Sequence, residues 1–156
     1  MEEVITKGEG VMTLFPLLKE LKLIGLPKLG HFFLTEHALQ IPFLRKVIIY
    51  DCHKMKTFVQ QGIYVSLESD DEVKEVDLNK VMFNSKVSCP NLEKLCINRA
   101  YISALCSRQL PTAYFSKLVK LKVHYCGILR NLMSQSVARD LLHLRELEIE
   151  DCYSMK

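Results

Sequence analysis

Phe115-Ser-Lys-Leu-Val-Lys-Leu-Lys-Val-His-Tyr-Cys126 and Leu141-Leu-His-Leu-Arg-Glu-Leu-Glu-Ile-Glu-Asp-Cys152 are two copies of one pattern, 26 residues apart. In each, a leucine anchor (Leu118, Leu144) is followed by apolar residues at +3 and +5 and a cysteine at +8: Leu121, Val123, Cys126, then Leu147, Ile149, Cys152. Working outward, Leu18 heads Leu21, Leu23, Leu26, Leu29 and Phe32, and Leu44 heads Val47, Ile49, Cys52, Met55 and Phe58. The Leu118 copy continues through Leu129 and Leu132, and the Leu144 copy through Met155. Leu92 heads a weaker copy, Leu95, Ile97 and Ala100, after which Ile102 and Leu105 restore the pattern with a one-residue slip past Ser103 and Cys106. Pro16, Pro42 and Pro90 each stand two residues before an anchor. Proline lacks an N–H and has a fixed φ, so it belongs just before a strand.

Alternating apolar residues at +3 and +5 describe a short strand with one buried face. A single unit cannot bury that face, but stacked units place their strands about 4.8 Å apart and share one core. An amphipathic helix would not restart in register every 26 residues. The period lies in the leucine-rich-repeat range of roughly 20–29 residues. The expected fold is therefore an α/β leucine-rich-repeat solenoid over residues 1–156, with parallel strands on the concave face and loops or short helices on the convex face. Leu44 and Leu92 are 48 apart, and Val73, Val76, Leu78 and Val81 at offsets 0, 3, 5 and 8 suggest a degenerate coil between them, preceded by an exposed acidic loop. Ser134–Leu142 is the best convex helix, with Val137/Leu141 and Ala138/Leu142 as i,i+4 pairs.

The rest of the composition excludes more than it assigns. A net charge of +3 over 156 residues is too small to announce nucleic acid, and no apolar run is long enough to span a bilayer. There is no phosphate-binding glycine loop, no zinc-spaced Cys/His set and no recognised nucleophile motif, so neither cofactor, metal nor enzymatic activity is expected. Glu68, Asp70, Asp71, Glu72, Glu75 and Asp77 lack the glycine and alternation of a calcium loop. Six cysteines invite a disulfide reading. Cys52, Cys126 and Cys152, however, share the +8 turn position, where a small weak donor can serve the backbone, and buried reduced thiols are expected.

The outward strand positions at +2, +4 and +6 carry the functional expectation. They read Glu20, Lys22, Ile24; Lys46, Ile48, Tyr50; Lys94, Cys96, Asn98; Lys120, Lys122, His124; and Glu146, Glu148, Glu150. Tiled side by side, they make a basic surface with an apolar and aromatic patch that turns acidic at the last coil. The candidate protein-binding residues are Lys22, Ile48, Tyr50, Lys94, Asn98, Lys122, His124, Glu146, Glu148 and Glu150, with Tyr125 at the edge. Tyr50 is the expected anchor, and the lysines would steer an acidic partner.

Phe15-Pro-Leu-Leu-Lys-Glu-Leu-Lys-Leu, Leu26-Pro-Lys-Leu, Cys89-Pro-Asn-Leu-Glu-Lys-Leu and the two stretches quoted first resemble the leucine-rich-repeat region of plant intracellular nucleotide-binding disease-resistance proteins of the coiled-coil class. Asp51-Cys52-His53-Lys54-Met55 repeats the Asp-Cys-x-x-Met ending of the last coil. The resemblance is weakest over residues 59–88. It implies a cytoplasmic interaction module that senses a pathogen effector or modified host protein. It also implies contact with the receptor's own nucleotide-binding module, which helps to hold that module inactive. Neither end reads as a polar cap, so the chain is expected to be an internal piece of such a receptor. The nucleotide-binding module lies outside these residues, and no nucleotide contact is assigned to them. The competing expectation is a general scaffold or substrate adaptor, such as an F-box-type ubiquitin-ligase receptor.

Overall fold

A computed structural model of the chain describes residues 11–61, 80–108, 110–111 and 114–155. Five strands, β2 (Glu20–Ile24), β5 (Lys46–Tyr50), β9 (Lys94–Asn98), β11 (Lys120–His124) and β12 (Glu146–Glu150), form one parallel sheet in the order β12-β11-β9-β5-β2. Every neighbour is in the register that the repeat demands: Leu21 opposite Val47, Val47 opposite Leu95, Leu95 opposite Leu121, and Leu121 opposite Leu147. The fold is a parallel-strand leucine-rich-repeat solenoid. In β5, β9 and β11 the +3 and +5 residues are buried while +2, +4 and +6 face outward.

Two turns per coil enforce this geometry. The Leu18, Leu92 and Leu118 amides donate to the carbonyls of Phe15, Cys89 and Phe115. Pro16 and Pro90 thereby occupy the second position of a turn, where their fixed φ is favourable. At the other end, the amides of Leu29, Met55, Leu129 and Met155 donate to the carbonyls of Leu26, Cys52, Cys126 and Cys152. Between strand and second turn, the +7 residue is always left-handed: Gly25, Asp51, Arg99, Tyr125 and Asp151 have φ between 56° and 66°. Four of these donate their N–H to the last strand carbonyl of the next coil, as Arg99 does to His124 at 3.0 Å.

The +8 thiols serve the backbone as expected. Cys52 Sγ donates to Leu23 O at 3.3 Å, and Cys126 Sγ lies 3.6 Å from His124 O. All six cysteines are free thiols, but Cys152, expected to be buried, is only half-buried because it lies in the edge coil. Burial pushes Cys89 and Cys106 up to about 12 and Cys126 up to about 11.

The back wall departs from expectation. There, β3 (Phe33–Thr35) pairs with β6 (Val59–Gln61), and β7 (Val81–Phe83) pairs with β10 (Ala104–Cys106). Phe58 N–H to Met82 O at 2.9 Å joins the two pairs, and Ala104 bridges onward to Asn131. A third short ladder joins β1 (Met12–Thr13), β4 (Leu39–Gln40) and β8 (Val87–Ser88). Val73, Val76 and Leu78, like the acidic run, lie outside the described residues. β5 pairs directly with β9, so the front sheet has no strand between them. Val81, expected at a +8 turn, lies in β7 on the back wall instead. Among the described residues the long unit supplies β5 to the front sheet, β6 and β7 to the back wall and β8 to the third ladder. β7 is thus an extra rung on the back wall with no counterpart between β5 and β9 in the front sheet.

Phe83 gives that rung a packing role. Phe32, Phe58, Phe83 and Phe115 form a continuous chain of rings with centroids 5.2, 5.3 and 5.4 Å apart. Tyr114 closes the end of the chain against Phe115 and donates its hydroxyl to the Asn84 and Val87 carbonyls.

The helix is shorter than the expected Ser134–Leu142. α1 covers Gln135–Ala138, and Ser134 caps it by accepting from the Val137 amide at 3.3 Å. After Arg139 the bonds tighten to i→i−3, and the turn into the next coil begins at Leu142, which stays 78% exposed. No helix among the described residues is long and apolar enough to cross a membrane.

Candidate functional site

The concave face is a grid whose rows are set by strand register. The +2 row reads Glu20, Lys46, Lys94, Lys120, Glu146; the +4 row Lys22, Ile48, Cys96, Lys122, Glu148; the +6 row Ile24, Tyr50, Asn98, His124, Glu150. All the outward residues named from the sequence lie on this one face. Its two ends differ in kind.

At the β11–β12 end the charges satisfy one another. Lys120 Nζ lies 3.5 Å from Glu146 Oε1, Lys122 Nζ lies 3.8 Å from Glu148 Oε1, and His124 Nε2 lies 3.1 Å from Glu148 Oε2. Lys122, expected from the sequence to steer an acidic partner, meets Glu148 of the neighbouring strand instead. The pairs are partly exposed, and each is worth roughly 0–1 kcal/mol.

At the β2–β9 end Glu20 stands opposite Lys46, but no ion pair joins them among the described residues. Lys46 and Lys94 are direct Cα partners, and neither has an ion pair among the described residues. Like charges directly opposite on a sheet are destabilising. Beside them lie Ile24, 53% exposed, Tyr50, 49% exposed, and the half-buried Ile48. Asn98 Oδ1, between Tyr50 and His124 in its row, is buried without a hydrogen-bond partner among the described residues.

The strand-end rim adds residues that sequence reasoning missed. Arg99 stacks its guanidinium 5.0 Å from the Tyr125 ring centroid, and Lys80 lies 5.1 Å from that of Tyr101. These aromatic rings and His53 line a shallow open pocket of about 300 Å³. Tyr125 was placed at the edge of the face, where it is. Arg99 and Tyr101 follow the strand at +7 and +9, positions that carry no hydrophobic signal. A non-glycine left-handed φ costs of order 1–3 kcal/mol, and a side chain as large as Tyr125 is uncommon there.

A curved stack of repeats with a continuous exposed face defines a leucine-rich-repeat interaction module. Residues 71–153 match the family described as plant disease resistance protein RPS2-like, leucine-rich repeats, and the chain belongs to that family. No curated protein and no solved structure matches it.

Proposed function

We propose that the chain is the recognition module of a cytoplasmic plant immune receptor and that its β2–β9 face binds an acidic protein, a pathogen effector or a modified host protein. The observation that carries this reading is the adjacent lysines Lys46 and Lys94, without an ion pair among the described residues, beside exposed Tyr50 and Ile24. An aromatic anchor with a polar tip, flanked by lysines that make no ion pair among the described residues, suits a partner with an apolar centre and an acidic rim. Lys22 and Asn98 extend this contact surface. The module does no chemistry of its own in this reading; it supplies affinity and specificity.

The β11–β12 end has the complementary role. Lys122, His124, Glu146, Glu148 and Glu150 present a charge-paired surface that meets the receptor's own nucleotide-binding module and contributes to autoinhibition. Tyr125 borders both surfaces. The test is made in the full-length receptor, scoring recognition-dependent cell death and ligand-free activity separately. Tyr50→Ala and Lys94→Glu should abolish recognition without autoactivity, whereas Glu148→Lys should give autoactivity. Normal expression with wild-type behaviour in all three would reject the concave-face assignment.

A further inference from the structure

We propose that His124, Glu148 and Glu150 form a binding site for a zinc-class divalent ion on the concave face. Among the described residues, this is the one set of three metal-binding side chains whose donor atoms converge, all within 4.8 Å of one another. His124 Nε2 lies 3.1 Å from Glu148 Oε2 and 4.0 Å from Glu150 Oε1. Zinc bound to nitrogen and oxygen at about 2.0–2.2 Å places tetrahedral neighbours about 3.3 Å apart. One contact already has that spacing. The other needs only a small movement of Glu150, whose side chain is 56% exposed and free to swing inward.

The fold preorganises the set. His124 ends β11, and Glu148 and Glu150 alternate along β12, so strand register aims all three at the same side of the sheet. Two carboxylates would otherwise diverge to reduce their repulsion; here both turn toward one imidazole. Lys122 Nζ lies nearest Glu148 Oε1, which leaves Oε2 facing the site. One nitrogen and two oxygen donors, with water completing the shell, suit zinc better than the harder magnesium or calcium ions. Binding replaces any proton on Nε2, and Nδ1 keeps the ring N–H. The ion would fasten β11 to β12, the strand whose inward Leu147 is 51% exposed.

The test uses the full 156-residue chain, kept reduced with a phosphine so that its six thiols are intact. Zinc is titrated by calorimetry, and cobalt by visible absorption. The expected result is one equivalent bound, weak d–d cobalt bands without thiolate charge transfer, and a rise in melting temperature with zinc. His124→Gln and Glu150→Gln should each weaken binding at least about tenfold and abolish the thermal shift. The site is overturned by no binding at millimolar zinc, or by an affinity that either variant leaves unchanged. An intense thiolate-to-cobalt band lost in Cys96→Ser would equally overturn it, by placing the ion on sulfur.

Discussion

The coil anchored at Leu118 and the coil anchored at Leu144 have nearly the same sequence pattern and the same strand geometry, yet one is core and the other is edge. Leu121 is fully buried and Leu147, its direct partner in the next strand, is 51% exposed. β11 alternates between buried and half-buried residues, whereas β12 has no buried residue at all. The difference teaches that burial in a solenoid belongs to the neighbour and not to the unit. A repeat is hydrophobic because it expects a coil on both sides.

Alkaline pH should widen the contrast most. Cys89, Cys106 and Cys126 lie in the interior coils, and burial holds them protonated to about 12, 12 and 11, against 9.0 for an ordinary thiol. The folded state then binds protons that the unfolded state has released, so these thiols do not affect stability below pH 9 and lower it as pH rises beyond 9. Three such groups should remove several kcal/mol by about pH 11, a large share of the roughly 5–15 kcal/mol of an ordinary domain. Urea unfolding at stepped pH measures this, and Cys106→Ala should flatten the slope. A stability that is level from pH 8 to 11 would show that the thiols are not desolvated.

A matched truncation sharpens the comparison directly. Leu121→Ala should cost roughly 2–5 kcal/mol through lost transfer energy and a residual cavity, and Leu147→Ala less than about 1 kcal/mol. Chemical denaturation of both variants gives the two numbers. Equal losses would mean that β12 is covered on its outer edge after all.

A smaller effect is expected at the turn thiols. Cys126→Asn should cost about 1 kcal/mol, less than Leu121→Ala, because an amide can replace the weak thiol donor to the turn carbonyl. A loss larger than the leucine truncation would show that shape, and not hydrogen bonding, selects cysteine there. The smallest effect belongs to the strand-to-strand charges. Lys122→Glu should lower stability by about 0.2–1 kcal/mol, and adding Glu148→Lys should recover part of it. Additive losses in the double variant would show that the pair does not couple.

Much of this was legible in the residues. The anchors and their +3 and +5 partners specify the strands and their register, because a one-residue slip would turn every buried leucine to solvent. The +8 thiols were also readable, since their position fixes which carbonyls they can reach. The place of Val81 was not. Val76, Leu78 and Val81 reproduce a front-strand spacing, but spacing cannot say which wall of the stack a segment joins. Direct pairing of β5 with β9 leaves β7 only the back wall, where Phe83 fills the gap between Phe58 and Phe115.

The functional face divides in the same way. Alternation along each strand determined which side chains point outward, so the sequence by itself placed Tyr50, Lys94, Lys122 and Glu148 on one surface. Which of them meet was decided across strands, between residues 24 or more apart in the chain. Register set Lys46 between Glu20 and Lys94, with no ion pair to either lysine among the described residues, and Lys122 beside Glu148 in an ion pair. The rim was decided by backbone conformation alone: a left-handed residue after each strand brings Arg99 over Tyr125, and no hydrophobic period marks that position. Local chemistry chose the faces of this protein; only the stacking of coils chose the neighbours, because charges and rings act through space and not along the chain.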